Sequence, residues 1–137
     1  TLEAEVKGCL FTVSDVDPLL AVDVDRDLLL AATGNLLQNA FDALAQTPEP
    51  TVWVDMGCAG PADAATVRVT VRDNGPGIAD DLWPHLFEPF VTSRAQGEGL
   101  GLGLSLCRTV IEQHGGALTH EPAQPRGTVF RFTLPGA

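Results

Sequence analysis

Apolar residues at Leu28, Leu29, Ala32, Leu36, Leu37, Ala40 and Leu44 recur near the helical period, so this stretch predicts an amphipathic helix. Asp25 or Asp27 can cap its start, and Thr47-Pro48 ends it. Its polar face carries Asn35, Gln38, Asn39 and Asp42. Elsewhere the period shortens to two. Leu10–Val13 and Leu20–Val24 flank the turn-like Ser14–Pro18 and predict an opening hairpin. Thr51–Met56 and Thr66–Val71 alternate across a Gly, Ala and Pro loop, which predicts antiparallel neighbours in one sheet. Asp80–Leu86 reads as a short helix, and an irregular stretch, FEPFVTSRAQGEG, follows it. A further helix runs from about Leu102 to His114 and is stopped by Gly115-Gly116. Ala117–His120 and Gly127–Leu134 close the chain as strands. Elements grouped in this way predict an α/β sandwich, a mixed sheet covered by helices on one face.

Composition narrows the setting. The 137 residues fit one domain with enough apolar content for a core, and neither repeats nor low-complexity stretches divide them. There is no run of about eighteen apolar residues, and TLEAEVKGCLF lacks the basic start and long apolar core of a signal peptide. A soluble, cytoplasmic domain is expected. Cys9, Cys58 and Cys107 are odd in number and form no CxxC pair, which fits reduced thiols better than a disulfide framework or a zinc site. Eight lysines and arginines face 18 aspartates and glutamates, and the net charge of −10 argues against binding to a nucleic-acid backbone. Any phosphate bound by this chain has to be held locally.

Four clusters carry candidate chemistry. In NLLQNAFDA, Asn35 and Asn39 lie four apart, so a helix points both amides the same way. They read either as a solvated face or as neutral oxygens completing the shell of a magnesium ion held by nucleotide phosphates. In DNGPGI, Asp73 ends a strand where a carboxylate can accept from an exocyclic amine, while Gly75 and Gly77 let backbone pass close to a flat ring. The same letters also suit a simple turn. In FEPFVTSR, Phe87 and Phe90 suit a hydrophobic latch, and Thr92, Ser93 and Arg94 supply hydroxyls and a forked cation suited to phosphate oxygens. In GEGLGLGLSL, glycines lead into a helix N-terminus, whose free N–H groups and dipole favour phosphate. The spacing is not that of a Walker loop, no lysine follows, and the stretch does not open a strand–helix–strand dinucleotide unit.

In this order the four clusters resemble the N, G1, F and G2 boxes of the ATP-binding catalytic domain of sensor histidine kinases. These belong to a superfamily shared with gyrase, ninety-kilodalton heat-shock chaperones and mismatch-repair ATPases. The resemblance covers nearly the whole chain, including the tail HGG…GTVFRFTLP. It implies a two-layer Bergerat fold, with a mixed, mostly antiparallel sheet covered on one face by about three helices. It also implies ATP and Mg2+ as cofactors. Asn39 corresponds to the magnesium ligand, with Asn35 one turn earlier near the phosphates, and Asp73 corresponds to the residue that binds the adenine amine. Gly75, Gly77 and Ile78 shape the base pocket, and Thr128 supports the adenine end. Thr92, Ser93 and Arg94 hold phosphate, while Gly99, Leu100, Gly101, Leu102 and Gly103 line it under a lid. Asn35, Asn39 and Arg94 form the catalytic set.

ATP-hydrolysing members of the superfamily carry a glutamate where this chain has Asn35, an amide without useful basicity, which disfavours an ATPase. Anti-sigma serine kinases share two boxes but usually lack FEPF followed by TSR, and they rank second. The few residues between Arg94 and Gly99 are similar to the short-lid kinases that sense nitrogen, oxygen or dicarboxylates. Those commonly read Thr-Thr-Lys where this chain reads Thr92-Ser93-Arg94, and many members carry a basic residue near Asp42. None of His85, His114 and His120 has the context of a phosphoacceptor, so each is read as structural. The expected activity is that of a protein-histidine kinase domain, residues 1–137, which donates the γ-phosphoryl group to a histidine elsewhere. The expected partners are a dimerisation and phosphoacceptor domain absent from this sequence, and a response regulator downstream. The domain alone is expected to be monomeric, to touch neither nucleic acid nor membrane, and not to autophosphorylate; the full protein could be membrane-anchored.

Overall fold

In the computed structural model, which describes residues 2–6, 9–13, 25–59, 66–81, 83–87 and 103–135, Asp25 caps the first helix. Its carboxylate accepts from the Leu28 N–H at 3.1 Å, and α1 runs over Arg26–Ala43. Around α1 the chain forms β1 (Leu2–Val6), β2 (Cys9–Val13), β3 (Thr51–Ala59), β4 (Thr66–Asp73), β5 (Ala117–Pro122) and β6 (Thr128–Pro135). A second helix, α2, spans Gly103–Gln113.

The strands make one sheet in the order β1-β2-β3-β4-β6-β5. Among the described strands only β2 and β3 run parallel, because the chain between them crosses over through α1; every other pair is antiparallel. The mixed, mostly antiparallel sheet is therefore as expected. The opening hairpin is not. Leu10–Val13 belongs to β2, whose antiparallel partner is β1, with Leu2 facing Val13 and Val6 facing Cys9. Only two residues separate these strands, a connection short enough to fix hairpin register. Ser14–Pro18 and Leu20–Val24 lie outside the described residues. The short helix expected over Asp80–Leu86 reduces to a 3-10 turn at Trp83–His85, because Pro84 has no N–H and steers the residue before it away from helical backbone.

Alternation along the strands decides which face is covered. Val52 and Val54 of β3, Val69 and Val71 of β4, Leu118 of β5, and Phe130, Phe132 and Leu134 of β6 are buried in one cluster with residues of both helices. From α1 come Ala32, Leu36, Ala40 and Leu44, and from α2 come Cys107 and Ile111. An i+4 row turns roughly 40° per step, so Leu28 has rotated off this line and is 44% exposed, while Leu29 is half-buried in its place. Truncating a fully buried residue such as Leu36 to alanine would cost about 2–5 kcal/mol. Asn35 and Asn39 each precede a buried member of the α1 stripe, which places both at its half-buried border.

Both helix junctions are closed by specific contacts. Gly115 takes φ +83 after α2, a conformation that favours glycine, as the predicted stop requires. At Gly116 an added Cβ would lie 1.8 Å from the Thr133 carbonyl oxygen, so the chain turns into β5 against β6 without room for a side chain. His114 joins the two helices: its Nε2 accepts from the Asp25 N–H at 3.1 Å, while Nδ1 is 2.7 Å from the Val110 carbonyl oxygen. An accepting Nε2 leaves the proton on Nδ1, which donates to that carbonyl. No helix among the described residues is long and apolar enough to cross a membrane.

Candidate functional site

Asp73 is the last residue of β4 and only 3% exposed. Its Oδ1 accepts from the Gly75 N–H at 2.9 Å, and the backbone N–H of Thr128 also donates to the carboxylate. Burial pushes the Asp73 carboxyl above the usual aspartate value, and these two hydrogen bonds pull the other way without cancelling it. A carboxylate has about four lone-pair positions, so two backbone donors orient it and leave acceptor capacity for a third group. Thr128, the first residue of β6, is itself 4% exposed and sits beside Asp73 because Arg72 pairs with Val129.

The loop after Asp73 is held on three sides. Asn74 accepts from the Thr51 N–H at 2.8 Å through Oδ1 and donates through Nδ2 to the Glu49 carbonyl at 2.9 Å, which fixes the loop to the start of β3. Gly75 fits against the end of α1, where an added Cβ would lie 3.2 Å from the Ala43 carbonyl oxygen and 3.3 Å from Leu44 Cδ2. Gly127, at φ +109, presses the β5–β6 connection onto the loop so closely that a Cβ would sit 1.9 Å from the Asp73 carbonyl oxygen. Gly77 follows at φ +84, and half-buried Ile78 packs on the core.

A recess of about 500 Å3 lies between Pro76–Ile78, Trp83 and the Pro122–Gly127 connection. Beside it, His120 packs against Trp83 with ring centres 4.2 Å apart and planes tilted by 39°, and meets Phe87 edge-on at 5.1 Å. Phe87 meets Phe130 edge-on at 6.2 Å, so this phenylalanine packs on the core as a latch would. His114 bridges the helices, His120 packs against Trp83 and Phe87, and His85 is exposed.

The structure therefore brings Asp73, Gly75, Gly77, Ile78 and Thr128 together at the ends of β4 and β6. It places Asn35 and Asn39 on one face of α1, and α2 begins at Gly103. Thr92, Ser93, Arg94, Gly99, Leu100, Gly101 and Leu102, together with Phe90, lie outside the described residues. Asn74 and Gly127 went unmarked in the sequence. Their signal was available: an Asx residue can bond nearby backbone, and a glycine immediately before Thr128 permits close approach. Among the described residues, no group of three or more His, Cys, Asp or Glu could hold a metal ion. A divalent cation would need oxygens from its ligand as well, and the half-buried Asn39 amide oxygen is a donor of the right kind for a hard cation.

Residues 24–137 match the family described as histidine kinase-, DNA gyrase B-, and HSP90-like ATPase. Over 116 residues the chain is 40% identical to the C4-dicarboxylate transport sensor protein DctS of Rhodobacter capsulatus, covering 83% of this chain and 17% of that protein. Over 132 residues it is 35% identical to the sensory histidine kinase/phosphatase NtrB of Rhizobium leguminosarum bv. phaseoli, covering 88% of this chain and 34% of that protein. The chain thus spans 17% and 34% of the length of these two relatives. Among solved structures, the mycobacterial sensor histidine kinase MprB matches with a TM-score of 0.75 and 35% identity, over 92% of this chain and 80% of that one. The catalytic domain of histidine kinase ThkA matches at 0.74 and 34%, over 91% and 77%.

Proposed function

Because the chain belongs to the histidine kinase-, DNA gyrase B- and HSP90-like ATPase family, with sensor histidine kinases among its relatives, we propose that it binds Mg-ATP for phosphoryl transfer to histidine. The observation that carries this reading is Asp73. A buried carboxylate, oriented by two backbone N–H groups at a strand end and walled by glycines, suits one directed hydrogen bond from a flat, amine-bearing base. Adenine has that exocyclic amine. Gly75 and Gly77 leave room for the ring, Ile78 gives it an apolar wall, and Thr128 supports the carboxylate from β6.

Asn39 is proposed to hold the magnesium ion together with phosphate oxygens, with Asn35 one turn earlier beside them. The ion supplies charge neutralisation on the phosphates. Thr92, Ser93 and Arg94 are proposed to hold the terminal phosphates, with Arg94 as the forked cation, and Gly99, Leu100, Gly101, Leu102 and Gly103 to bring backbone N–H groups to them. No residue here serves as the nucleophile. An imidazole on a dimerisation domain outside this sequence takes the γ-phosphoryl group, positioned in line, and a response regulator receives it next.

Titration calorimetry with Mg-ATP and Mg-ADP tests the binding. Asp73→Asn is expected to abolish it and Asn39→Ala to weaken it, with unfolding midpoints confirming that both variants are folded. Absence of binding by the unaltered chain refutes the proposal. Labelled ATP mixed with a separate dimerisation domain is expected to give acid-labile phosphate on that domain. Acid-stable phosphoserine on a partner would assign a serine kinase instead, and steady phosphate release without a partner would assign an ATPase.

A further inference from the structure

His120 is a half-buried histidine on β5, which forms one edge of the sheet among the described strands. Alternation along β5 turns it to the side that buries Leu118, and it pairs across the ladder with the core residue Phe130. An apolar residue would suffice for packing there. What His120 adds is contact with two points of one short segment. Its ring centre lies 4.2 Å from that of Trp83 and 5.1 Å from that of Phe87, and its Nε2 is 3.2 Å from the Trp83 carbonyl oxygen. A carbonyl only accepts, so Nε2 carries the proton and donates.

Residues 83–87 need such an outside template. Trp83–His85 make a single 3-10 turn, and Pro84 contributes no N–H to hold it. His120 bridges this turn from Trp83 to Phe87, and so fixes the direction in which the chain leaves it. Phe87 is braced on two further sides. Phe130 of β6 meets it edge-on at 6.2 Å, and the Arg108 guanidinium of α2 lies over its ring, 5.6 Å from the centre. Arg108 is held in turn by Glu112, one helical turn on, at 2.9 Å. Phe87 thereby joins the 3-10 turn to α2, β5 and β6.

We infer that His120 is a positioning residue for the phosphate end of the nucleotide site: it clamps Phe87, and the place of Phe87 sets where phosphate-holding residues can act. The inference rests on the nucleotide reading of Asp73 and deepens it. Thr92 follows Phe87 by five residues, which reach at most about 18 Å even when fully extended. Phe87 therefore bounds where the proposed phosphate ligands that follow it can stand. On its other side, Arg108 ties Phe87 to α2, whose first residue, Gly103, is proposed to bring a backbone N–H to phosphate. The base end is oriented by other contacts, the Gly75 and Thr128 N–H groups on Asp73 and the Asn74 bond to the start of β3. Loosening His120 should thus act on the phosphates and spare the base.

NMR titrations of the isotope-labelled chain with Mg-ATP and with adenosine, which has the base without the phosphates, separate the two ends. His120→Ala is expected to weaken Mg-ATP about tenfold, as when a long side chain must be ordered anew on binding, and to leave adenosine within about twofold. His120→Phe, which restores a ring without the Nε2 donor, is expected to bring Mg-ATP back to within about threefold of the unaltered chain. His120→Gln keeps a donor without the ring; it is expected to behave as His120→Ala does, and it takes that variant's place where the alanine chain does not fold. A residue that only supported the fold would weaken both ligands in step, and that result overturns the inference. So does unchanged Mg-ATP affinity in whichever of the alanine and glutamine variants is folded, or a phenylalanine variant as weak as they are. Absence of Mg-ATP binding by the unaltered chain refutes the proposed function and this inference with it, whereas binding at an unaltered ratio in the variants refutes the inference alone.

Discussion

Replacing Gly127 by alanine tests how tightly the β5–β6 connection is fitted to the buried aspartate. The new Cβ would lie 1.9 Å from the Asp73 carbonyl oxygen, 2.8 Å from its carbonyl carbon and 3.1 Å from Asn74 Cα, all backbone atoms that no rotamer change can move. Relief therefore requires the connection to separate from the Asp73 loop by more than 1 Å, roughly the shortfall from an ordinary contact. Alanine at φ +109 adds strain of about 1–3 kcal/mol, and forcing atoms into filled space adds about 1–3 kcal/mol more. The expected loss is about 2–6 kcal/mol, a large part of the roughly 5–15 kcal/mol that stabilises a typical domain. Urea unfolding should show a lower midpoint at constant slope, which separates lost stability from a changed unfolded state. Gly34→Ala is the matched control. Gly34 is exposed on α1 with nothing within 4 Å of its added Cβ, so that change should stabilise the fold by about 1 kcal/mol. A loss below about 1 kcal/mol for Gly127→Ala would refute the close fit on which the site description rests.

The raised pKa of Asp73 has a definite sign in the stability of the fold. Relative to an unfolded aspartate at 3.8, its contribution is fully present below that pH and is lost as pH rises through the higher folded value. Asp73→Asn should therefore gain stability relative to the unaltered chain as pH rises from 3.8 towards neutrality, and equal pH dependence of the two unfolding midpoints would contradict this. Cys107 is fully buried, and burial pushes its thiol up to about 12. Peptide mapping after maleimide treatment at neutral pH should find it unlabelled in the native chain and labelled in urea. His114→Ala removes the acceptor for the Asp25 N–H and should cost about 1 kcal/mol in unfolding free energy, with α1 amides exchanging faster near Asp25 than near Ala43.

Much of the fold was legible because its signals were local. The i+4 row from Ala32 to Leu44, the Asp25 cap and the Gly115-Gly116 stop each depend on contacts within a few residues, and α1 and α2 fall close to where these signals put them. The alternation in β3, β4 and β6 gave both the strands and their inner face. Pairing at the start of the chain was less legible. Leu20–Val24 has the composition of a strand, but composition does not name a partner, and Leu2–Val6 takes that place through a shorter connection. In the site, Asp73 was legible as a carboxylate ending a strand before glycines. Its clamp was not, since Asn74 reaches back 23 residues to Thr51, and Gly127 meets Asp73 across a contact spanning much of the chain. Contacts of that range exist only once the sheet has assembled.

The parallel joint between β2 and β3 also decides where the sheet stops. β2 takes up the outer side of β3, and the Leu10 N–H donates to the Pro50 carbonyl at 2.9 Å where the two strands begin. Without β2, the run Thr51-Val52-Trp53-Val54 would present a bare row of backbone donors and acceptors, apolar, β-prone and ready to recruit a strand from another molecule. Among the described strands, the hairpin moves that margin to β1, in whose sequence Glu3 and Glu5 alternate, and like charges disfavour pairing with a second copy. The family match begins at residue 24, beyond both hairpin strands. In this chain, protection against self-templated aggregation is supplied by a segment outside the residues that the family model matches.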